Sequence, residues 1–268
     1  MRITIKLGGS VLEDADIRGR LLGEITAGVM QKHEIILVHG GGKSLNRRLA
    51  QLHMEARFIS GLRVTDESTL DVAVMVLAGE VNKKLTAELG CRGISAIGLC
   101  GADARAVQCV SVAGMSGYPD GIGFVGKPVE VNRDFFELLL GAGITPVVSS
   151  IAIGNASDTS AQFYNINADQ MASACAARTD CEALVYLTDV PGVMDGNENV
   201  ISAMNKADIL ELREGGAISG GMLPKTAACL EAIDAGVNTI YILPGADRNI
   251  LSDFFMGIPA KGTKIHGN

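Results

Sequence analysis

What most constrains the fold of this chain is the alternation of short apolar runs with amphipathic stretches. Strand signals at 3–6, 35–38, 145–148, 183–188 and 239–243 are interleaved with helical periodicities at 15–30, 44–52 and 206–212. Ile35-Ile36-Leu37-Val38 and Thr145-Pro146-Val147-Val148 present no polar face, as expected of strands covered on both sides. The pattern predicts an α/β fold with a mostly parallel central sheet between helical layers, and ligands beyond the C-terminal strand ends. At 268 residues the chain is long for one domain and short for two, which predicts two lobes. The polar stretch Gly154-Asn155-Ala156-Ser157-Asp158-Thr159-Ser160 is the one candidate boundary, dividing the chain into 1–154 and 155–268.

Composition narrows the function. Apolar residues at 47% and charged residues at 20% fit a packed, soluble chain rather than a disordered one. A net charge of -7 with no run of Lys or Arg argues against a nucleic-acid partner. Residues 1–6 enter a strand pattern at once and no apolar stretch is long enough to span a bilayer, so a cytoplasmic protein without a membrane partner is expected. The six cysteines lack C-x-x-C spacing and read as buried free thiols. The four histidines make no metal pair at helical spacing, and no protein-held metal is expected.

Two regions depart from simple alternation. Between Val107 and Val131 strand-like pieces are broken by Gly114, Gly117, Pro119, Gly121, Gly123 and Gly126, which predicts antiparallel hairpins decorating the main sheet as a substrate-covering flap. A long helix is predicted over 66–89, capped by Thr65 or Asp66, with Leu70, Val74, Leu77, Val81 and Leu85 on one stripe and Val72, Val76 and Gly79 widening it. Such width fits a core helix, or burial by both the sheet and a second subunit.

Chemistry concentrates in glycine loops. Lys6-Leu7-Gly8-Gly9-Ser10 follows the first strand and precedes a helix, so its N–H groups can form an anion nest, although a tight turn would also use Gly-Gly. His39-Gly40-Gly41-Gly42-Lys43-Ser44 lacks the glycine a P-loop requires, because position 37 is leucine. It remains a glycine turn at the end of a second strand. Gly121-Ile122-Gly123-Phe124-Val125-Gly126 matches a dinucleotide fingerprint as a string but leads into Lys127-Pro128-Val129 rather than a helix, and reads as a hairpin. A third loop, Gly220-Gly221-Met222-Leu223-Pro224-Lys225, carries a second lysine. Lysines beside glycine-lined turns suit phosphoryl transfer, where charge gathers on the moving group and backbone must come close.

Asn165-Ile166-Asn167-Ala168-Asp169 leads into a helix predicted over 170–177, and one of its residues caps that helix. Asp169 could pair with both lysines and hold their ammonium groups; holding ATP-bound magnesium is the competing reading. Arg63, just before the long helix, could grip a carboxylate in two hydrogen bonds. A solvated surface arginine fits the same spacing.

Taken in order, these motifs, with Ala78-Gly79-Glu80-Val81-Asn82-Lys83 and Leu187-Thr188-Asp189-Val190-Pro191-Gly192-Val193, resemble the amino acid kinase family over nearly the whole chain. Within it they are similar to the branch that phosphorylates N-acetyl-L-glutamate in arginine biosynthesis. The resemblance implies a three-layer αβα sandwich of the carbamate kinase-like kind. It also implies acceptor binding and dimerisation in the first lobe, through the helix at 66–89, and ATP binding in the second. Carried over by residue, it gives Lys6 and Lys225 to the transferring phosphoryl group and Asp169 to organising them. Gly8, Gly9, Gly41 and Gly42 would donate N–H groups to phosphate and substrate. Arg63 and Asn165, with Gly41 and Gly42, would hold the acceptor. Asp189, Val190, Gly192, Val193, Met194, Ala217, Ile218 and Ser219 would hold the nucleotide, with Mg2+ carried by ATP. The stretch 156–163 is not a family hallmark, and 258–263 keeps only Gly262-Thr263 of the expected pattern. Arginine-inhibited members carry a helix before the first strand, and Lys6 comes too early for one, so a homodimer insensitive to arginine is expected. Kinases of the same fold acting on other acceptors, and a nucleotide or amino-acid sensor without chemistry, are the alternatives.

Overall fold

The computed structural model describes residues 1–59, 61–155, 162–258 and 261–267. Most of the polar stretch at 156–163 therefore lies outside the described residues. In chain order the strands are β1 (Arg2–Leu7), β2 (Glu34–His39), β3 (Phe58–Ile59), β4 (Leu62–Arg63), β5 (Ala96–Leu99), β6 (Val107–Ser111), β7 (Val125–Val131), β8 (Thr145–Ser149), β9 (Ile151–Gly154), β10 (Phe163–Ile166), β11 (Ala183–Thr188), β12 (Ala203–Asn205), β13 (Thr239–Pro244) and β14 (Thr263–His266). The helices are α1 (Gly9–Glu13), α2 (Ala15–Met30), α3 (Gly42–Gln51), α4 (Glu67–Ala73), α5 (Asn82–Gly90), α6 (Arg133–Gly141), α7 (Ala168–Arg178), α8 (Lys206–Glu214), α9 (Met222–Asp234) and α10 (Ile250–Phe255).

Eight strands make one sheet in the order β12-β14-β13-β11-β1-β2-β8-β5. From β13 to β5 all neighbours are parallel, and β14 turns antiparallel against β13. Successive side chains of a strand face opposite sides, and here both sides are filled. Ile35 and Leu37 of β2 pack into a cluster with Leu21, Leu22 and Ile25 of α2 and with α10. Ile36 and Val38 pack into another with Phe136 of α6 and Met171 of α7. That double burial produces the uninterrupted apolar runs in the sequence and makes three layers, αβα, as expected.

From β1 the chain moves toward β2 and β8, and from β11 toward β13 and β14. The adjacent strands β1 and β11 therefore flank the point where strand order reverses, the place where open α/β sheets bind ligands. At their C-terminal ends Gly8 N–H donates to Leu187 O at 3.0 Å, and a Cβ on Gly8 would stand 2.7 Å from that oxygen. Glycine is required there for close approach.

Two expectations change. The 107–131 segment does pair antiparallel, β6 against β7, but it does not decorate the main sheet. With β9 and β10 it closes a separate four-stranded barrel, because Cys109 and Ile166 bury into the core shared with α6 and α7. Gly123 is needed where a Cβ would meet Thr65 O at 2.2 Å, a packing reason for a glycine that resembled a nucleotide fingerprint. The long helix forms, capped by Asp66, whose carboxylate accepts from Thr69 N–H at 2.9 Å. Its middle, Val74–Val81, winds as a π-helix, a form concentrated at functional sites. The second strip, Val72 and Val76, is buried within this chain against Leu45 and Leu49 of α3, so the width of the stripe does not by itself call for a partner.

Candidate active site

Lys6 is the last residue but one of β1, Asp169 the second of α7, and Lys225 lies in the first turn of α9. The fold brings these three together. Lys6 Nζ is 2.8 Å from Asp169 Oδ1, and Lys225 Nζ donates to Asp169 Oδ2 at 3.0 Å. The Lys6 contact is an ion pair that lacks hydrogen-bond direction, since Oδ1 has no hydrogen-bond partner. All three side chains are nearly inaccessible. Burial alone would raise the Asp169 carboxyl, but the two ammonium groups overcome it and hold the group down at about 2. Burial lowers Lys6; the attraction of Asp169 opposes this, and the repulsion of Lys225 adds to it.

Asn167 places Asp169 by capping α7, its side-chain oxygen accepting from Asp169 N–H at 2.8 Å and from Gln170 N–H at 3.4 Å. The capped helix begins two residues earlier than its sequence signal suggested. Asp189, just past β11, stands within electrostatic reach of both lysines. Burial pushes its carboxyl up, and its own backbone, the Thr188 and Ser10 hydroxyls and Lys225 together bring it below the ordinary range.

Next to this cluster lies a cavity of about 180 Å³, lined by Gly40, Gly41, Gly42, Phe58, Arg63, Leu77, Ser150, Asn165, Asn167 and Ala168. It is smaller than the roughly 300–1,000 Å³ of pockets for drug-sized ligands, a size suited to a small acceptor. The N-terminal ends of α3 and α7 both border it, and helix N-termini favour anions. Arg63 is buried. Its Nη2 donates to Asn46 Oδ1 at 2.5 Å, while Nη1 has no partner. Burial also lowers the guanidinium pKa. An unpaired buried guanidinium nitrogen is costly, and a ligand carboxylate would satisfy it. Asn165 lines the same cavity and donates to Thr65 Oγ1 at 3.2 Å. A larger cavity of about 440 Å³ between β7 and the α7/α9 pair includes none of Lys6, Asp169 and Lys225.

The other expected residues divide. Gly41 and Gly42 border the cavity, and a Cβ on Gly41 would stand 2.8 Å from Leu77 of the π segment. Gly9 faces open space, whereas the Gly8 N–H is already engaged by Leu187. Val193 and Ile218 send their side chains into the core, and their backbone is largely engaged, Val193 O accepting from Ile201 N–H at 2.8 Å and Ile218 N–H donating to Leu212 O at 3.1 Å. Val193 N–H donates to Thr263 Oγ1 at 2.8 Å, so the Gly262-Thr263 remnant docks the C-terminal strand on the loop of Asp189, Val190, Gly192 and Met194. Ala217 and Ser219 are exposed beside the start of α9.

Sequence reasoning gave no role to His39 or Asn82. Asn82 Nδ2 donates to His39 Nε2 at 3.0 Å, so the ring proton sits on Nδ1, which donates to Gly40 O at 2.7 Å. Burial lowers this imidazole to about 4, opposed by its bond to Gly40. A neutral histidine thus bolts the second glycine turn to the long helix. The only sequence signal was its position directly before the glycine run.

Residues 1–244 match the sequence profile of the amino acid kinase family. An acetylglutamate kinase of Koribacter versatilis (strain Ellin345) is 42% identical over 265 residues, covering 99% of this chain and 98% of that protein. In fold, the smu.665 protein of Streptococcus mutans UA159 superposes with a TM-score of 0.82 at 24% identity, over 100% of this chain and 99% of its own. A Giardia lamblia carbamate kinase bound to AMP-PNP does so with a TM-score of 0.69 at 17% identity, over 100% and 98%. Strand order, the paired lysines and a profile match over most of the chain agree: this protein belongs to the amino acid kinase family.

Proposed function

We propose that this protein transfers the γ-phosphoryl group of ATP to the γ-carboxylate of N-acetyl-L-glutamate, the second step of arginine biosynthesis. One observation carries the acceptor assignment: the buried, unpartnered Arg63 Nη1 in a small glycine-lined cavity whose wall includes Ala168, the neighbour of Asp169. Arg63 takes the α-carboxylate in a charge-assisted bond. Asn165 and the N–H groups of Gly41 and Gly42 hold the rest of the acceptor. The γ-carboxylate is already ionised at neutral pH, so its oxygen attacks the γ-phosphorus without a general base and ADP leaves.

Lys6 and Lys225 neutralise charge on the moving group, and Asp169 holds both ammonium groups. Gly9 adds backbone N–H, and Gly8 lets β1 approach β11. Asp189, Val190, Gly192, Val193 and Met194, with Ala217, Ile218 and Ser219, receive the nucleotide, Val193 and Ile218 by shaping its surface from within the core. Mg2+ carried by ATP would neutralise phosphate charge; both Asp169 oxygens face lysines, so Asp169 organises the ammonium groups rather than holding that ion.

Residues 1–154 serve the acceptor and 155–268 the nucleotide, with Asn165 reaching across. A homodimer through the helix at 66–89 is supported by Met75, 60% exposed on the π segment; a monomer mass in light scattering would remove it. The activity is tested with ATP, magnesium and hydroxylamine, offering N-acetyl-L-glutamate beside glutamate, aspartate and acetylated aminoadipate. Hydroxamate from N-acetyl-L-glutamate alone is expected. Product with another acceptor would change the pathway and keep the mechanism, and none with any acceptor would refute the kinase reading.

A further inference from the structure

Tyr186, on β11, is wholly inaccessible, and phosphoryl transfer as described makes no use of it. Lys225 Nζ lies 5.3 Å from the centroid of its ring, within the distance at which an aromatic face attracts a cation. Its hydroxyl is 2.7 Å from Ser173 Oγ and 3.2 Å from Asp169 O. Ser173 Oγ in turn is 2.9 Å from Ala228 O and 3.1 Å from Asp169 O. Two hydroxyl protons serve these contacts. The assignment that uses the shorter distances has Tyr186 donate to Ser173 and Ser173 donate to Ala228 O. Burial raises the phenol well above its ordinary pKa, helped by the nearby Cys229 and Asp169, so the hydroxyl keeps its proton.

The three elements joined in this way are the ones that matter to the site. Asp169 and Ser173 lie one turn apart on α7, Lys225 and Ala228 one turn apart on α9, and β11 leads directly to Asp189. We propose that Tyr186 is a positioning residue for phosphoryl transfer: its ring seats the Lys225 ammonium, and its hydroxyl, through Ser173, ties α7 to α9 so that Lys225 and Asp169 stay in register. The inference rests on the kinase reading and extends it to a residue that touches no substrate.

The test replaces Tyr186 with Phe, 3,5-difluorophenylalanine and 3,4,5-trifluorophenylalanine, which keep ring volume while draining negative charge from its face, and with Leu, which removes the ring. Expected is a stepwise fall in kcat of about tenfold across the fluorinated series, with KM for ATP and acceptor within twofold and melting temperatures close together. Tyr186→Leu should fall at least as far. In the unsubstituted protein and Tyr186→Phe, NMR of the Lys225 ε-methylene should show an upfield ring-current displacement that fluorination leaves and Leu abolishes. A flat kcat series, a loss that tracks melting temperature alone, or a Lys225 signal indifferent to the ring would overturn the proposal. Failure of the unsubstituted protein to phosphorylate any acceptor counts instead against the kinase reading, and the Lys225 signal then decides the contact alone.

Discussion

Replacing Asp169 with Asn tests the centre of the site with minimal change of shape. The carboxylate now faces Lys6 at 2.8 Å and Lys225 at 3.0 Å, and an amide of the same outline leaves two buried ammonium groups beside each other with only the more exposed Asp189 as counter-charge. Breaking a buried pair by removing one partner costs about 3–5 kcal/mol; the variant escapes part of that by releasing a proton from Lys6, which burial already lowers. A net loss of about 2 kcal/mol corresponds to a melting temperature lower by about 4–8 °C. The sign with pH follows: Lys6 loses its main raising influence, the unfolded chain then binds more protons than the folded one, and the deficit shrinks as pH climbs toward the ordinary lysine value. For catalysis, a lost or misplaced donor to the transferring group costs about 10²–10³ in kcat. KM for ATP should change little, because the proton released from Lys6 offsets the lost carboxylate charge and leaves the net charge of the site as it was. Initial rates from coupled ADP release, read against thermal melts at several pH values, make the measurement. A kcat within fivefold of the unsubstituted protein, or a loss carried by KM for ATP, would refute the reasoning.

Arg63→Ala should raise KM for N-acetyl-L-glutamate about 10–100-fold, the worth of a charge-assisted bond, with a smaller change in kcat; an unchanged KM in the same rate assay would place the carboxylate elsewhere. His39, lowered to about 4 from 6.5, takes up its proton in the unfolded chain first. Acid therefore removes stability between pH 6.5 and 4, by about 3 kcal/mol at about 1.36 kcal/mol per pH unit. Urea melts of His39→Gln should lose that slope, and persistence of the slope would clear His39. Gly98→Ala drives a Cβ to 2.1 Å from Asn82 Oδ1 and 2.5 Å from Thr86 Oγ1, an overpacking cost of about 1–3 kcal/mol; a melting temperature equal to that of the parent would mean that Asn82 can move. Because the acceptor is ionised and no general base is used, kcat should stay flat from about pH 6 to 8; a midpoint near neutrality in the rate profile would require a proton-transferring group.

How much of this site was legible in the sequence depends on whether a residue's role is local. Lys6 beside Gly8-Gly9 and Lys225 after Gly220-Gly221 announce themselves, because close backbone approach demands glycine whatever surrounds it. That one of residues 165–169 caps a helix was readable for the same reason, though not that Asn167 is the cap and Asp169 lies in the first turn; so were strands whose two apolar faces leave an unbroken run. The barrel was not: that β7 pairs with β10 rather than with the main sheet is decided by residues distant in sequence, Asn165 opposite Val125. Nor was the π segment, since the same valines and leucines would line an α-helical stripe and only the packing of Leu77 and Val81 about Gly41 distinguishes the two. His39 and Tyr186 escaped because an apolar strand context hides a polar residue until its partners, Asn82 and Ser173, are seen to meet it. Gly8 sits where a phosphate donor is expected, yet its N–H belongs to Leu187, a backbone contact that no side-chain pattern reports.

The arrangement of charge explains why a carboxylate sits where two anions must meet. Two lysines alone, buried together, would repel. Asp169 places a counter-charge between them, 2.8 Å from one ammonium group and 3.0 Å from the other. Each ammonium group carries three donors; Lys225 spends one on Asp169 and the Lys6 contact lacks hydrogen-bond direction, so on the proposed reading both keep donors for phosphoryl oxygens. The cap from Asn167 fixes Asp169 before any ligand arrives, and the bolt from His39 to Gly40 fixes the glycine turn across the cavity. Preorganisation of this kind lets a site without an acid, a base or a nucleophile work by position and charge, which is what transfer to an already ionised carboxylate requires.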